Sequence, residues 1–151
     1  MGAMKEPTSG LYEADYHAWT HDQAAKLSRG DFAHLDVNNL IEEIESLGRS
    51  EERELESRLA QLLMHLLKWQ YQWIMRSHSW SFTIKEQRHR LELLFRRMPS
   101  LQPKVGDVVT EAYSDARMMA ERETGLGITT FPVDCPYTVE QVLQADWLPP
   151  G

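Results

Sequence analysis

The chain is poor in cysteine and in long apolar runs. Its one cysteine, Cys135, excludes an intrachain disulfide and suits a reducing compartment. The best candidate for a membrane segment, residues 62–67, is interrupted by His65 and is far shorter than the roughly 20 residues that a membrane helix needs. No apolar segment follows a basic start at the N-terminus, so we expect no secretory signal. We therefore expect a cytoplasmic protein that does not contact a membrane.

Sequence motifs of the familiar enzyme classes are missing too. The chain has no glycine-rich phosphate loop, nucleophile elbow, C-x-x-C pair or Walker-type sequence. His17 and His21 share a helix face but lack a third ligand, and Glu86 with His89 forms the single E-x-x-H unit, whereas di-iron bundles need two. We therefore predict no metal and no cofactor, and the sequence favours a role other than catalysis.

Positive charge is scarce and unevenly placed. The net charge of −7 argues against nucleic-acid binding, which requires a basic surface. Residues 31–56 hold nine acidic residues against two arginines, and residues 76–104 hold seven basic residues against two glutamates. We favour the interpretation that these segments lie side by side in the folded protein. The alternative is a patch for an anionic partner, formed by Arg88, Arg90, Arg96 and Arg97.

Apolar residues recur at helical spacing along most of the chain. The clearest run comprises Val37, Leu40, Ile41, Ile44 and Leu47, followed by Leu55, Leu59, Leu62, Leu66, Trp69 and Trp73. We interpret it as a packing stripe on two helices, the first ending near Gly48 and the second running from Ser50 to about Met75.

Other helices are predicted over about residues 13–29, from Trp80 to before Pro99, from Ser100 to Gly125, and after Thr138. No strand pattern is present. The predicted fold class is therefore all-α: a single-domain helical bundle of three long helices plus shorter helices. We expect a disordered lead-in at residues 1–10, one domain over 11–148, and a tail at 149–151.

Polar side chains interrupt the apolar stripes of the predicted helices. Gln23, Gln70 and Gln87 lie within stripes, with Arg88 at the edge of one. Buried amides need hydrogen-bond partners, so we expect them to meet one another or the neighbouring glutamates, with Arg88 as an ion-pair partner. Such a polar seam could fix helix register or line a small-ligand pocket. Its candidate binding residues are Glu43, Glu45, His65, Gln70, Gln87 and Arg88.

Several blocks of the sequence occur in the order found in a known family. They are LYEADYHAW (11–19), NLIEEIESLGRSE (39–51), HLLKWQYQ (65–72), TIKEQR (83–88), AYSDAR (112–117), ERETGL (121–126) and CPYTVEQVL (135–143). Across about residues 11–148 the chain resembles the bacterial domain-of-unknown-function family number 29. That resemblance implies an all-helical, single-domain, cytoplasmic bacterial protein, and it brings no established activity, cofactor or catalytic residue.

The preferred functional hypothesis is association with another protein. The chain has five tryptophans, and the apolar stripe of the long helix extends past Leu63 and Leu67 to Ile74. A homodimer is the simplest version, and a complex with a different protein is the other. The alternative function is a small-ligand-binding protein or an enzyme that uses the polar seam.

Overall fold

The structure, a computed structural model, describes residues 8–151. Helices are the regular elements throughout this range, and it contains no strand. The all-α prediction is therefore confirmed. The first seven residues of the predicted lead-in lie outside the described residues.

Six α-helices occur among the described residues. Three are long, as predicted, and three are short. They are α1 (Thr8–Ala14), α2 (Tyr16–Ser28), α3 (Val37–Tyr71), α4 (His78–Arg97), α5 (Val105–Thr124) and α6 (Val139–Leu143). Short 3-10 helices lie at Phe32–His34, Trp73–Met75, Pro99–Lys104 and Ile128–Thr130.

The chain divides into two compact units, one up to Ser50 and one over residues 51–151. The first contains α1, α2 and the beginning of α3, and the second contains the rest of α3 and all later helices. The prediction of one domain over residues 11–148 stays a prediction.

Trp19 is the buried centre of the first unit. Its indole Nε1 donates a hydrogen bond to Oδ2 of Asp36 at 2.9 Å, and the backbone N–H of Asp36 donates to Oε1 of Gln23 at 2.8 Å. Because burial without partners is costly for polar groups, these bonds explain how Gln23 and Asp36 are buried. Gln23 is thus buried as predicted, and its hydrogen-bond partner, Asp36, lies in the same unit.

The second unit has one apolar core. Leucines of α3 from Leu55 onward form its centre, packed with apolar side chains of α4, α5 and the C-terminal segment. Fully buried members include Leu55, Leu59, Leu62, Leu63, Leu66, Leu67, Ile84, Leu91, Leu94, Ala112, Ala116, Phe131 and Val142. The later half of the predicted packing stripe is therefore a core stripe.

Several predicted helix boundaries are confirmed. Gly30 and Gly125 adopt left-handed backbone angles, with φ of 76° and 75°, next to the ends of α2 and α5. The helix predicted after Thr138 begins at Val139, and Thr138 and Gln141 form a capping box at its start. The helix predicted over residues 13–29 is instead divided at Asp15, whose side chain caps α2 by accepting from the backbone of Ala18.

Other predicted boundaries are wrong. We expected a helix end near Gly48 and a start at Ser50, but α3 runs continuously through both residues. A glycine inside a helix costs only about 1 kcal/mol relative to alanine, and the strong helix formers around Gly48 outweigh it. Ser100 does not cap α5; it lies in the 3-10 helix Pro99–Lys104, and α5 begins at Val105.

Candidate functional site

The first turns of α3 present an apolar face to solvent. Four residues at helical spacing, Val37, Ile41, Ile44 and Leu47, expose 53%, 49%, 66% and 69% of their surface. We call these four residues the α3 face. Their spacing predicts one packing stripe with Leu55 and Leu59, yet only the later residues are buried. Exposed apolar patches of this kind are often found where proteins contact other molecules.

Two exposed acidic side chains lie on the same turns of α3 as the α3 face. Glu42 and Glu45 are exposed, and Glu42 accepts a hydrogen bond from Arg49 at 2.9 Å. With about 3.6 residues per turn, Glu45 lies on the edge of the face between the turns that carry Ile41 and Ile44. Glu42 lies about 140° around the helix from Val37, on the far side from the α3 face, so of these two acidic residues Glu45 is the one that borders the face.

Glu43 faces the first two helices instead. Its carboxylate accepts hydrogen bonds from the hydroxyl groups of both Tyr12 and Tyr16. These bonds lower the pKa of Glu43, and they raise the pKa of Tyr12 to about 12 and that of Tyr16 above its ordinary value. The group therefore holds an ionised glutamate against two neutral tyrosines and ties α1 and α2 to α3.

A second exposed apolar cluster follows α3. Trp73, Ile74 and Met75 form the 3-10 helix after it, and all three are exposed, as is Phe82 on α4. Leu63 and Leu67, which we expected to lead this stripe to the surface, are fully buried. Beyond Leu55, the exposed part of the predicted stripe thus begins only after α3 has ended.

Three other candidate seam residues, His65, Gln70 and Gln87, each form a hydrogen bond with a residue of the second unit that is not part of the predicted seam. Gln70 accepts from the hydroxyl of Tyr137 at 2.7 Å, and Gln87 accepts from Arg58 at 3.4 Å. The Nδ1 atom of His65 lies 2.9 Å from the backbone oxygen of Gln61, within its own helix. Among residues 51–151, no hydrogen bond or ion pair joins two of the predicted seam residues. Glu45 is exposed on the first unit.

Arg88 is buried and holds the C-terminal segment. Its Nε atom donates to the backbone oxygen of Val142 at 2.8 Å, and its terminal nitrogens donate to three more backbone oxygens, those of Gln141, Ala145 and Trp147. The predicted ion pair of Arg88 with a glutamate is wrong, because carbonyl oxygens take its donors. Burial also removes it from the predicted anionic-partner patch, where Arg90 and Arg96 pair with Glu86 and Glu92.

Lys68 is a buried cation that the sequence analysis did not single out. Its Nζ atom lies 3.3 Å from Oε1 of Glu123 and 4.6 Å from the ring centre of Trp80. His65, one turn earlier, has its pKa lowered by burial. Lys68 follows the leucines of α3 at the spacing of core residues. This spacing is the feature of the sequence that could have predicted its burial.

A groove of about 380 Å³ lies along α4 and the C-terminal segment. Its polar lining includes Lys85, Arg88, His89, Glu92 and Asp146. Arg88, a predicted seam residue, lines this groove, but its guanidinium already donates to backbone carbonyl groups.

Metal ligands are not gathered in the described part of the chain: it contains no group of three or more His, Cys, Asp and Glu residues placed to hold an ion. The rings of His17 and His21 lie 4.5 Å apart and are exposed, and Glu86 pairs with Arg90. No helix within residues 8–151 is long and apolar enough to cross a membrane.

The arrangement defines an all-helical protein with exposed apolar side chains on its helices. Residues 11–148 match the model of a family described as domain of unknown function DUF29, and the chain belongs to that family. The predicted resemblance is therefore confirmed. No curated protein and no solved structure matches the chain.

Proposed function

We propose that this protein functions by binding another protein molecule through the α3 face. The simplest such complex is a homodimer. The observation that supports this is the exposure of Val37, Ile41, Ile44 and Leu47 on one side of a regular helix. Fully burying an exposed aliphatic side chain contributes roughly 1.5–3 kcal/mol. These four side chains are half to two-thirds exposed, so each contributes less than that, but covering all four favours association. The cost of bringing two proteins together leaves a modest net affinity.

Sedimentation velocity over a range of concentrations tests this proposal. The wild type is expected to shift from monomer to dimer as concentration rises. Ile44→Asp and Leu47→Asp each place a carboxylate in the middle of the face and are expected to weaken the dimer about a hundredfold, because a buried unpaired charge is costly. A wild type that stays monomeric at all concentrations would overturn the homodimer.

Val133→Asp is the matched control. Val133 is exposed, lies in a loop of the second unit, and receives the same change in charge and shape. It is expected to associate like the wild type. Equal loss of association in Val133→Asp and Ile44→Asp would show a general effect of added negative charge, and the α3 face would then lose its assigned role.

A further inference from the structure

A cleft of about 540 Å³ lies between α5 and the segment that follows it. Residues 109–118 of α5 and residues 128–135 line it, so the whole cleft belongs to the second unit. Its volume is within the roughly 300–1,000 Å³ that is usual for small-molecule sites. None of the six candidate residues of the polar seam lines the cleft, which is therefore a separate place on the molecule.

Apolar side chains form much of the lining. Met118 on α5 and Val133 in the following segment both line the cleft and are exposed. An apolar group bound there would cover surface that now meets water, which is favourable. The buried Tyr113 also lines the cleft, and its hydroxyl donates to the backbone oxygen of Pro132 at 2.6 Å. This bond holds the two sides of the cleft together.

Arg117 is the cation of the cleft. Its Nε atom donates to the backbone oxygen of Phe131 at 3.0 Å, which fixes the orientation of the guanidinium. Within residues 8–151 its two terminal nitrogens make no hydrogen bond and no ion pair, and neither is shut off from solvent. A guanidinium held in this way offers paired donors that match the two oxygens of a carboxylate.

Two further polar residues line the cleft, Asp134 and Cys135. Asp134 is exposed and, in the part of the chain that the structure describes, it forms no ion pair with Arg117, so the cation is not neutralised by direct contact. Burial raises the pKa of the Cys135 thiol, so the thiol is uncharged at neutral pH and does not repel an anion. Because Cys135 is the single cysteine of the chain, its reactivity reports on this cleft alone.

We propose that the cleft binds a small aliphatic carboxylate, with its oxygens on the terminal nitrogens of Arg117 and its chain over Met118 and Val133. The charge-assisted hydrogen bonds orient the ligand, and the covered apolar surface adds affinity. The α3 face belongs to the first unit and has no part in this site. The ligand site and the protein contact can therefore fail independently of each other.

Protection of Cys135 from alkylation by iodoacetamide tests the proposal on the whole chain, with mass spectrometry measuring the rate. Hexanoate is the probe, and it is expected to slow alkylation in a saturable manner. Acetate lacks the aliphatic chain, and 1-hexanol lacks the charge. Each is expected to need a concentration about tenfold higher or more for the same protection, because each loses one of the two contributions to binding.

Arg117→Gln tests the anchor. Glutamine can still donate to the backbone oxygen of Phe131, but it has no charge, so the variant is expected to bind hexanoate about tenfold more weakly or worse. Its response to 1-hexanol should be unchanged. Arg122→Gln is the matched control, because Arg122 is an exposed arginine of α5 that does not line the cleft. If Arg117→Gln exposes Cys135 without any probe, the comparison of probes on the wild type decides.

Several results would overturn the proposal. Hexanoate that gives no saturable protection of the wild type would remove the site. Protection by 1-hexanol equal to that by hexanoate would remove the role of the guanidinium, and equal protection by acetate would leave a general anion contact in place of the proposed ligand class. Stronger protection by hexylamine than by hexanoate would move the anchor to Asp134.

Discussion

The hydroxyl of Tyr137 donates to the side-chain oxygen of Gln70 at 2.7 Å, joining α3 to the segment that precedes α6. The two residues are 67 positions apart in the chain, and Tyr137 is buried. Burial raises the pKa of Tyr137, so the hydroxyl stays protonated and remains a donor. Gln70, the polar residue within the apolar stripe of α3, is thus paired with a tyrosine and not with another glutamine.

Gln70→Leu is expected to lower the free energy of unfolding by about 1–3 kcal/mol, because it leaves the buried hydroxyl of Tyr137 without an acceptor. Urea denaturation followed by circular dichroism measures the change. Tyr137→Phe in the Gln70→Leu background removes the orphaned donor and should recover part of the loss. Gln102→Leu, at an exposed position, is the control. Unchanged stability in Gln70→Leu would show that the bond does not fix the position of this segment.

Arg88→Met is expected to release the C-terminal segment. Four residues of that segment accept hydrogen bonds from the guanidinium, so the change leaves several carbonyl groups unpaired and should cost at least about 2 kcal/mol. Hydrogen exchange read by mass spectrometry should show lost protection in residues 139–148 before the rest of the unit. Arg90→Met, at an exposed arginine on the same helix, should not change it. Uniform loss of protection across α3 and α4 would contradict a local role.

The sequence predicted helices well because apolar periodicity reports them directly. It did not distinguish a buried stripe from an exposed one, since Ile41 and Leu59 repeat with the same spacing and differ only in what covers them. The helix end predicted near Gly48 was wrong because the low helix propensity of one glycine is outweighed by the helix-forming residues on either side of it.

The candidate site was harder to predict than the fold. Gln70 and Arg88 were recognised as anomalous polar residues, but their partners lie far along the chain, in Tyr137 and in backbone oxygens that no side-chain pattern reveals. Backbone acceptors are the same at every position, so a sequence cannot show which of them an arginine will meet.

The stability of the protein is expected to depend on pH at both ends of the range through Glu43 and Tyr12. The pKa of Glu43 is lowered in the folded state, so its contribution is present above the ordinary value of 4.5 and is lost as pH falls through the lowered value. The pKa of Tyr12 is raised to about 12, so its contribution is present below 10.0 and is lost as pH rises toward 12. The loss of stability at acid pH is tested by measuring Tm by thermal unfolding between pH 3 and neutrality, with on the order of one measurement per pH unit.

Glu43→Gln is the informative comparison for this pH dependence. Glutamine still accepts from both tyrosines but does not titrate in this range. The wild type should therefore have the higher Tm at neutral pH, and the difference should shrink as the pH falls below 4.5. A Tm difference that is constant with pH would show that the charge of Glu43 does not stabilise the fold.

His65 is expected to weaken the second unit on mild acidification. Burial lowers its pKa below 6.5, so the unfolded chain takes up a proton that the folded chain resists. Stability should therefore be full above pH 6.5 and fall as pH decreases toward the lowered value. NMR titration of the imidazole should give a midpoint below 6.5, and His65→Gln should flatten the stability profile in that window. His89, an exposed histidine on α4, is the control for substitution. A His65 midpoint at or above 6.5 would mean that the side chain is open to water or paired with an acid, and the acid sensitivity would then have another source.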